Sequence, residues 1–349
     1  MNYRLFGSTG LRVSELALGT MTFGEDWGWG APKDECRRMF DAFAAAGGNF
    51  IDTANRYTEG TSERFVGEFV ASDRARFVVA TKYTLFNRKG DPNAAGNHRK
   101  NLVQSLEASL ERLGTEYVDL LWVHAWDHLT AVEEVMRGLE DVVRAGKALY
   151  VGVSDTPAWI VARANTLAEL RGWTPFAGIQ IEYSLIQRTV ERKLLPMARS
   201  LGLAVTAWGA IGGGMLTGKY NPDAAPEQKA EPGRMRDNPR AARLAEKNLR
   251  IAAVVREVAK EAGRTPAQVA VNWVQHQPGI VIPIVGARSA RQLEDLLGAL
   301  DFELSAEQRS RLDEASRIEL GFPHEFTTSA NIRELIYAGM YDRIVDRRP

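Results

Sequence analysis

Eight short apolar segments recur along the chain, and their alternation with longer stretches constrains the fold more than any other feature. Each segment consists mostly of Val, Ile, Leu or Ala without regular polar alternation, as expected of strands buried on both faces. The segments are Leu16–Thr20, Phe50–Asp52, Phe77–Lys82, Val118–His124, Leu149–Ser154, Ile179–Tyr183, Ala204–Trp208 and Ile280–Gly286. Because amphipathic stretches separate them, we predict an α/β fold in which eight parallel strands close into a (β/α)8 TIM barrel.

Helix-start signals mark several of the stretches between these strands. Ser or Thr followed three residues later by Glu or Gln forms a capping pattern at Thr130–Glu133, Thr265–Gln268 and Ser305–Gln308. Pro157 and Pro266 are predicted at the first helical position, where the missing N–H of proline costs nothing. These signals support helices between the strands.

A doubly wound open sheet is the alternative for alternating strands and helices. Such a sheet usually carries Gly-x-Gly-x-x-Gly after its first strand, whereas here that strand leads into Gly-Thr-Met-Thr-Phe-Gly at 19–24. Barrels of ~250 residues with insertions fold as one unit. We therefore predict a single domain over 1–349, with a core at about 4–312 and a C-terminal extension at 318–349.

The composition excludes several classes of partner. The formal net charge is zero, whereas a general nucleic-acid or membrane-surface binder needs a basic excess. No apolar run approaches the ~20 residues of a membrane helix, and the amino terminus lacks the apolar core of a signal peptide. Cys36 is the single cysteine, so a reducing compartment is the default. We expect a cytoplasmic protein whose oligomeric state, monomer or homo-oligomer, is left open.

Two long polar loops are predicted on this scaffold. Tyr83–Asn97 follows the third strand, and Asn221–Arg240, which carries four prolines, follows the seventh. Loops of this length in a compact domain usually serve as lids or binding loops. Both follow carboxyl ends of strands, where the sites of such barrels lie.

Four residues at or after these strand ends suggest acid–base chemistry. Asp52, Lys82 and His124 end the second, third and fourth strands, and Tyr57 follows Asp52 by five residues. A structural ion pair at the rim is the simpler interpretation of Asp52 with Lys82, and a lone histidine is more often structural. Taken together, they suit proton donation to a carbonyl oxygen without a metal. Tyr57 would be the acid, and a nearby ammonium from Lys82 would lower its pKa.

The same residues resemble the aldo-keto reductase family. Gly48-Asn-Phe-Ile-Asp52-Thr-Ala-x-x-Tyr57 is similar to the family's first signature, and Lys82 and His124 fall at its other two catalytic positions. Gly19-Thr20-Met21 and Ile282-Pro-x-x-Gly286-Ala-Arg288 match as well. The resemblance implies reversible reduction of an aldehyde or ketone, with hydride from NADPH and a proton from Tyr57. It also implies an N-terminal β-hairpin, Tyr3–Ser14, that plugs the barrel.

The resemblance implies a cofactor site across the barrel mouth. Trp208 is expected to stack on the nicotinamide, with Ser154 and Gln180 bonding its carboxamide, and Arg288 is expected to meet the 2′-phosphate. The other expected cofactor residues are Gly19, Thr20, Met21, Asp52, Asp155, Gly209, Ala210, Ile211, Gly212, Gly213, Gly214, Lys219, Arg234, Gly286, Gln292 and Asp295. Arg288 and Ser289 open a helix, and a helix N-terminus attracts anions, so ordinary capping and phosphate binding are compatible here.

Asp155 departs from the family, which often has asparagine at this position. An ionised carboxylate only accepts hydrogen bonds, so Asp155 is expected to take the carboxamide NH2. The alternative is that Asp155 caps the helix that begins near Pro157.

The substrate is predicted only in outline. Aromatic side chains on the mouth loops suggest a pocket for a small carbonyl substrate with an aromatic or sugar-like ring, formed by Phe23, Trp27, Trp29, Phe86 and Trp126. Loop packing is the competing interpretation of each. Two other functions stay open: a barrel aldolase that uses Lys82 as a Schiff base, and a cofactor-binding regulatory subunit.

Overall fold

The computed structural model describes residues 1–220 and 246–345, and its centre is a closed barrel of eight parallel strands. A separate antiparallel hairpin of β1 (Tyr3–Leu5) and β2 (Arg12–Ser14) precedes it. The barrel strands are β3 (Ala17–Gly19), β4 (Phe50–Asp52), β5 (Val78–Tyr83), β6 (Val118–Val123), β7 (Ala148–Ser154), β8 (Phe176–Glu182), β9 (Ala204–Trp208) and β10 (Val281–Val285). Each strand pairs with the next, and β10 closes the ring on β3. The predicted (β/α)8 barrel is confirmed.

Helices surround the barrel. They are α1 (Lys33–Ala45), α2 (Thr61–Val70), α3 (Arg99–Leu113), α4 (Val132–Arg144), α5 (Ala158–Arg171), α6 (Leu194–Ser200), α7 (Glu246–Ala262), α8 (Pro266–Gln275), α9 (Ala290–Leu297), α10 (Ala306–Ser316), α11 (His324–Thr328) and α12 (Ala330–Tyr337). Short 3₁₀ helices lie at Tyr57–Gly60, Ala71–Arg76, Thr189–Arg192, Gly212–Thr217, Gly298–Leu300 and Tyr341–Arg343. No helix in 1–220 or 246–345 is long and apolar enough to cross a membrane.

The N-terminal hairpin seals the amino end of the barrel, as predicted. Phe6, in the turn between the two hairpin strands, is wholly buried and packs edge-on against Phe50 and Trp122 inside the ring. Gly7 has φ +63°, and a Cβ there would lie 2.4 Å from the carbonyl oxygen of Ala177, so only glycine fits this approach. Burying a phenylalanine side chain of this kind stabilises the fold by about 1.5–3 kcal/mol. The barrel therefore opens only at its carboxyl end.

Two of the three predicted capping boxes are present. Thr265 before α8 and Ser305 before α10 each accept from the residue three positions on, whose glutamine side chain bonds back. Pro266 is at the first helical position as predicted, whereas Pro157 precedes α5 as its N-cap.

The predicted cap at Thr130 is wrong. The Asp127 carboxylate accepts both the backbone N–H of Thr130 at 2.9 Å and its hydroxyl at 2.7 Å. Hydrogen bonds to an ionised carboxylate are strong, so these two bonds hold Thr130 in the loop. Helix α4 begins two residues later without a side-chain cap.

The predicted loop after the third strand is confirmed, since no helix or strand lies between β5 and α3. Its last residue, Asn97, is wholly buried and donates to Thr84 and to the backbone oxygen of Ala125. The predicted loop Asn221–Arg240 lies outside the described residues.

Candidate active site

Lys82 is the centre of the site at the carboxyl end of the barrel. It lies near the end of β5, and its side chain is wholly buried. Its Nζ donates to Asp52 Oδ1 at 2.5 Å, to the backbone oxygen of Thr53 at 2.8 Å and to the Tyr57 hydroxyl at 3.0 Å. An ammonium has three donors, and all three are used here. Burial opposes the charged form, but Asp52 and Tyr57 outweigh it and raise the pKa of Lys82.

Asp52 is held from both sides. Its second oxygen accepts from Gln180 Nε2 at 2.8 Å, across the barrel on β8. Its backbone oxygen accepts from both the N–H and the hydroxyl of Thr20. With a fixed carboxylate, the position of the Lys82 ammonium is fixed as well. Thr20 is wholly buried, so its side chain supports the backbone of Asp52 and does not face the mouth.

Tyr57 is placed by a strained turn. Thr58 and Glu59 have φ of 45° and 55°, in a region that residues other than glycine rarely adopt. The Thr58 hydroxyl stabilises this turn by donating to the backbone oxygen of Phe23 at 2.6 Å and accepting from the Ser62 N–H. The turn brings the Tyr57 ring within 4.6 Å of Lys82 Nζ.

The expected lowering of the Tyr57 pKa is wrong in its net sign. Burial raises the pKa of Tyr57 above its ordinary value of 10.0, and this outweighs the opposing effect of Lys82. The sequence revealed the neighbouring ammonium but not how far the hydroxyl is withdrawn from water. The hydroxyl is consequently neutral at physiological pH and has a proton to donate.

His124 faces Tyr57 at the next strand end. The two rings meet edge-on with centroids 6.0 Å apart. Burial, assisted by the Lys82 charge, lowers the pKa of His124 well below 6.5, so the imidazole is neutral. Its Nδ1 is buried without a hydrogen-bond partner among the described residues. Since an orphaned donor costs more than an orphaned acceptor, the proton is expected on Nε2.

The ends of β7, β8 and β9 form one wall of the mouth. Ser154 and Gln180 are register partners, and Trp208 pairs with Glu182 on the neighbouring strand. Ser154 and Gln180 are buried and Trp208 is half-buried. The Gln180 amide nitrogen is already donating to Asp52, so it is its oxygen that is left to accept from a ligand.

Asp155 turns toward Trp208. It has φ +44°, and its Oδ1 accepts from Trp208 Nε1 at 3.4 Å. The N-cap of α5 is Pro157 and receives no side-chain hydrogen bond, so the capping role considered for Asp155 is wrong. Neighbouring protein atoms displace water from its carboxylate and, with the nearby charge of Glu182, raise its pKa to about 6 despite opposing hydrogen bonds. Glu182 was not predicted as a site residue, because it lies within the segment Ile179–Tyr183 that was interpreted as an apolar strand.

A glycine turn follows β9. Gly209, Gly212, Gly213 and Gly214 all have positive φ, and the amine of Lys219 lies 3.6 Å from where a Cβ on Gly214 would be. Ala210 is buried and Ile211 half-buried, both against the core. The glycines let the backbone of this turn be approached closely, and the N–H groups of Gly212 and Gly214 donate to the backbone oxygens of Gly209 and Ile211. Arg234, the other predicted phosphate contact, lies outside the described residues.

The expected cofactor residues after β10 lie at and just inside a capped helix start. Ser289 is the N-cap of α9 and accepts from the N–H of Gln292, whose side-chain oxygen accepts from the N–H of Arg288. This preorganises a helix N-terminus beside the Arg288 guanidinium. Asp295 accepts from Thr265 at 3.1 Å and so also braces α8.

At the neighbouring strand ends, Gly19 pairs with Asp52, and a Cβ on Gly19 would lie 2.7 Å from Ile284 Cγ2. Gly286 directly follows β10, and a Cβ there would lie 3.4 Å from the backbone oxygen of Gly19. Met21 is partly exposed after β3. The two glycines keep the backbone close-packed at this edge of the mouth.

Two members of the predicted aromatic pocket lie elsewhere. Phe23 is wholly buried against Phe69, and Trp126 is nearly so, both within the core between barrel and helices. Their assignment to the pocket is wrong because the loops that carry them fold inward.

The other three aromatic residues are partly exposed on the loops that follow β3 and β5, and their role in a substrate pocket stays a prediction. The Trp27 and Trp29 rings pack at a tilted angle with centroids 5.4 Å apart, and Trp27 Nε1 donates to Glu59. Phe86 is partly exposed and lies under the Arg56 guanidinium at 4.2 Å. In the described chain, no three His, Cys, Asp or Glu side chains form a possible metal site.

A closed barrel with a buried Asp–Lys–Tyr cluster and a neutral histidine at its carboxyl end is typical of one class of barrel oxidoreductases. Comparison with known proteins agrees: the Aldo/keto reductase family model matches residues 15–317, so the chain belongs to this family. It is 40% identical to norsolorinic acid reductase of Aspergillus flavus over 92% of this chain and 82% of the relative. It is 36% identical to the aryl-alcohol dehydrogenase [NADP(+)] of Phanerodontia chrysosporium over 96% and 91%. Aldo-keto reductase ausK of Emericella nidulans is 35% identical over 93% and 83%.

Proposed function

We propose that this protein catalyses the reversible reduction of an aldehyde or ketone to an alcohol, with NADPH as the hydride donor and Tyr57 as the proton donor. The observation that carries the proposal is the Lys82 ammonium, bonded at once to Asp52 and to the Tyr57 hydroxyl. NADPH supplies the hydride when bound, and the residues of this chain supply the rest.

The four residues divide the work of moving one proton. Tyr57 carries the proton at neutral pH and donates it to the carbonyl oxygen. The phenolate left behind is stabilised by the Lys82 charge 3.0 Å away, an interaction that strengthens as the oxygen becomes negative. Asp52 keeps Lys82 charged and in place. The neutral His124, with its proton on Nε2, orients the carbonyl oxygen toward Tyr57.

The mouth fits an extended dinucleotide. Trp208 offers a half-buried aromatic face at the end of β9, the glycine turn after β9 lets a ligand approach the backbone closely, and Arg288 precedes the helix that follows β10. The expected nicotinamide contacts lie at the ends of β7 to β9 and the expected phosphate contacts follow β9 and β10, so the cofactor would extend along the rim from β7 to β10. The name of the aryl-alcohol dehydrogenase relative, which includes NADP(+), adds support.

The Schiff-base alternative is not supported by the environment of Lys82. A nucleophilic amine must lose its proton and reach the substrate. The Lys82 amine is wholly buried, its pKa is raised and its three donors are used. A regulatory subunit that holds cofactor without turnover is the remaining alternative, and it predicts no sustained catalysis.

The deciding experiment is a panel of aryl aldehydes and ketones, aliphatic aldehydes and sugar aldehydes, assayed by loss of NADPH absorbance. Sustained, substrate-dependent turnover supports the proposal, and the best substrate class identifies what the mouth accepts. Tight NADPH binding without turnover on any carbonyl would favour the regulatory role.

Substituting Arg288 by Ala should weaken NADPH far more than NADH. A charge-assisted hydrogen bond is worth roughly 1.5–3 kcal/mol, or about 10- to 150-fold in affinity, and only NADPH has the 2′-phosphate. Both dissociation constants can be measured by quenching of protein fluorescence. Arg171, the exposed last residue of α5 at the opposite end of the barrel, provides the matched control, since Arg171→Ala should change neither constant. Equal losses for both cofactors in Arg288→Ala would remove the phosphate contact.

Substituting Asp155 by Asn should tighten NADPH relative to NADP⁺. An ionised carboxylate near the nicotinamide favours the cationic, oxidised ring. Because its pKa is about 6, this preference in the wild type should decline as the pH falls through 6 and Asp155 is protonated. The asparagine variant should show a flat ratio of the two dissociation constants across the same range. An unchanged ratio in the variant at neutral pH would place Asp155 outside the cofactor site.

A further inference from the structure

The chain beyond α10 forms a C-terminal arm, residues 318–345, that stands away from the barrel. No residue from 321 to 345 is buried. Within the described chain, the hydrogen bonds that join the arm to the barrel all involve Arg192. Its guanidinium donates to the backbone oxygen of Glu319 at 2.8 and 3.0 Å, and its own backbone oxygen lies 2.6 Å from His324 Nε2. The arm is anchored at its base alone.

Within the arm, aromatic side chains pack against one another. The Phe322 and Phe326 rings pack 5.9 Å apart, and Tyr337 packs 4.9 Å from Tyr341. The Arg333 guanidinium lies 3.6 Å over the Tyr341 ring. An isolated helix shorter than ~12–15 residues is marginal in water, and α12 has 8 residues. The helix α12 therefore needs a surface that packs against it and stabilises it.

The arm exposes enough apolar surface for a stable interface. Nine of its large apolar side chains are exposed, and on average more than half of each is accessible: Phe322, Phe326, Leu335, Ile336, Tyr337, Met340, Tyr341, Ile344 and Val345. Together they offer on the order of 900 Å², given ~150–250 Å² for a large side chain. A standard interface buries ~800 Å² per partner, so this arm alone meets that size.

Two strongly exposed apolar side chains lie in neighbouring strand–helix units at the carboxyl end of the same barrel. Leu129, in the loop after β6, is 93% exposed, and Trp159, in the first turn of α5, is 65% exposed. The helices that follow these two positions are joined by an ion pair between Glu133 of α4 and Arg163 of α5. We call Leu129 and Trp159 the rim patch. The arm is rooted at Arg192 on the next unit of the barrel and leaves its own rim patch uncovered.

We propose that the C-terminal arm packs on the rim patch of a second copy of this chain, so that two copies exchange arms in a two-fold dimer. This arrangement covers the exposed apolar side chains of the arm and those of the rim patch, and a two-fold exchange closes without leaving a further arm unpaired. The chain has a formal net charge of zero, so two copies meet without net repulsion. The rim lies beside the mouth, so each arm borders the active site of its partner.

Sedimentation velocity across a dilution series tests the role of the arm. The wild-type chain should sediment as a dimer that dissociates on dilution. Leu335→Asp combined with Ile336→Asp should raise the dimer dissociation constant about a hundredfold or more, because each change occurs twice in the dimer. Leu170→Asp is the control, since Leu170 is 79% exposed but lies at the far end of α5. A monomeric wild type, or a double variant with unchanged mass, would overturn the proposal.

Cysteine cross-linking tests which chain receives the arm. The only native cysteine, Cys36, is buried. A chain with Leu335→Cys, mixed with a chain with Trp159→Cys and oxidised, should form a covalent dimer of the two chains. In the double variant, a disulfide within one monomer would show that the arm folds on its own barrel and would overturn the exchange. A dimer that depends on the arm but is never cross-linked would overturn the assigned receiving patch.

Discussion

Replacing Tyr57 by Phe should lower kcat for carbonyl reduction by about 10²–10⁴-fold, the usual worth of a positioned general acid. The hydroxyl is the only proton donor held by Lys82, and the phenylalanine ring keeps the same packing against His124. NADPH binding should survive, because Tyr57 supplies the proton and not the cofactor contacts. The measurement is steady-state reduction of the best carbonyl substrate together with a cofactor titration.

Tyr83→Phe is the matched control for this substitution. Tyr83 is the residue next to Lys82, but its hydroxyl points away from the mouth and donates to the backbone oxygen of Asn97 at 3.2 Å. Its loss should cost about 1 kcal/mol of stability and leave kcat unchanged. Near-normal turnover by Tyr57→Phe would show that another group donates the proton.

Replacing Lys82 by Met should abolish most activity and also destabilise the fold. Removing one partner of a buried ion pair costs about 3–5 kcal/mol, because the other charge stays buried. Asp52 would be that charge, held only by Gln180. Thermal unfolding of Lys82→Met should therefore occur at a clearly lower temperature than that of the wild type. A variant that unfolds at the wild-type temperature would contradict the structural role of the ion pair.

The double variant Lys82→Met with Asp52→Asn separates stability from catalysis. Removing both charges should restore most of the thermal stability, since no buried charge is left alone. It should not restore kcat, because Tyr57 still lacks the cation that stabilises its ionised form. If the double variant regained activity, Lys82 would have only a structural role.

The strand ends were predictable because strands and chemistry are both local in the sequence. A strand buried on both faces appears as an apolar run, and the first polar residue after it must lie at the rim. This is why Asp52, Lys82 and His124 were found and why the structure brings them together with Tyr57. The family motif around Asp52 added what the strand pattern alone left open.

What the sequence did not reveal depends on distant contacts. The inward packing of Phe23 depends on Phe69, which lies in α2. The start of α4 depends on the hydrogen bond that Asp127 accepts from Thr130. The net pKa of Tyr57 depends on how completely the folded rim excludes water. None of these three features is determined by a residue and its neighbours in the sequence alone.

The pairing of β10 with β3 joins the last and first strands of the barrel and has a consequence for synthesis. Arg4 reaches the backbone oxygen of Val281, a separation of 277 residues. Until β10 has emerged from the ribosome, β3 and β9 are unpaired edge strands, and such edges can pair with strands of other chains. Contacts of such long range form slowly. A nascent chain that stops before Val281 therefore has no way to close, and chaperones or proteolysis must deal with its exposed edges.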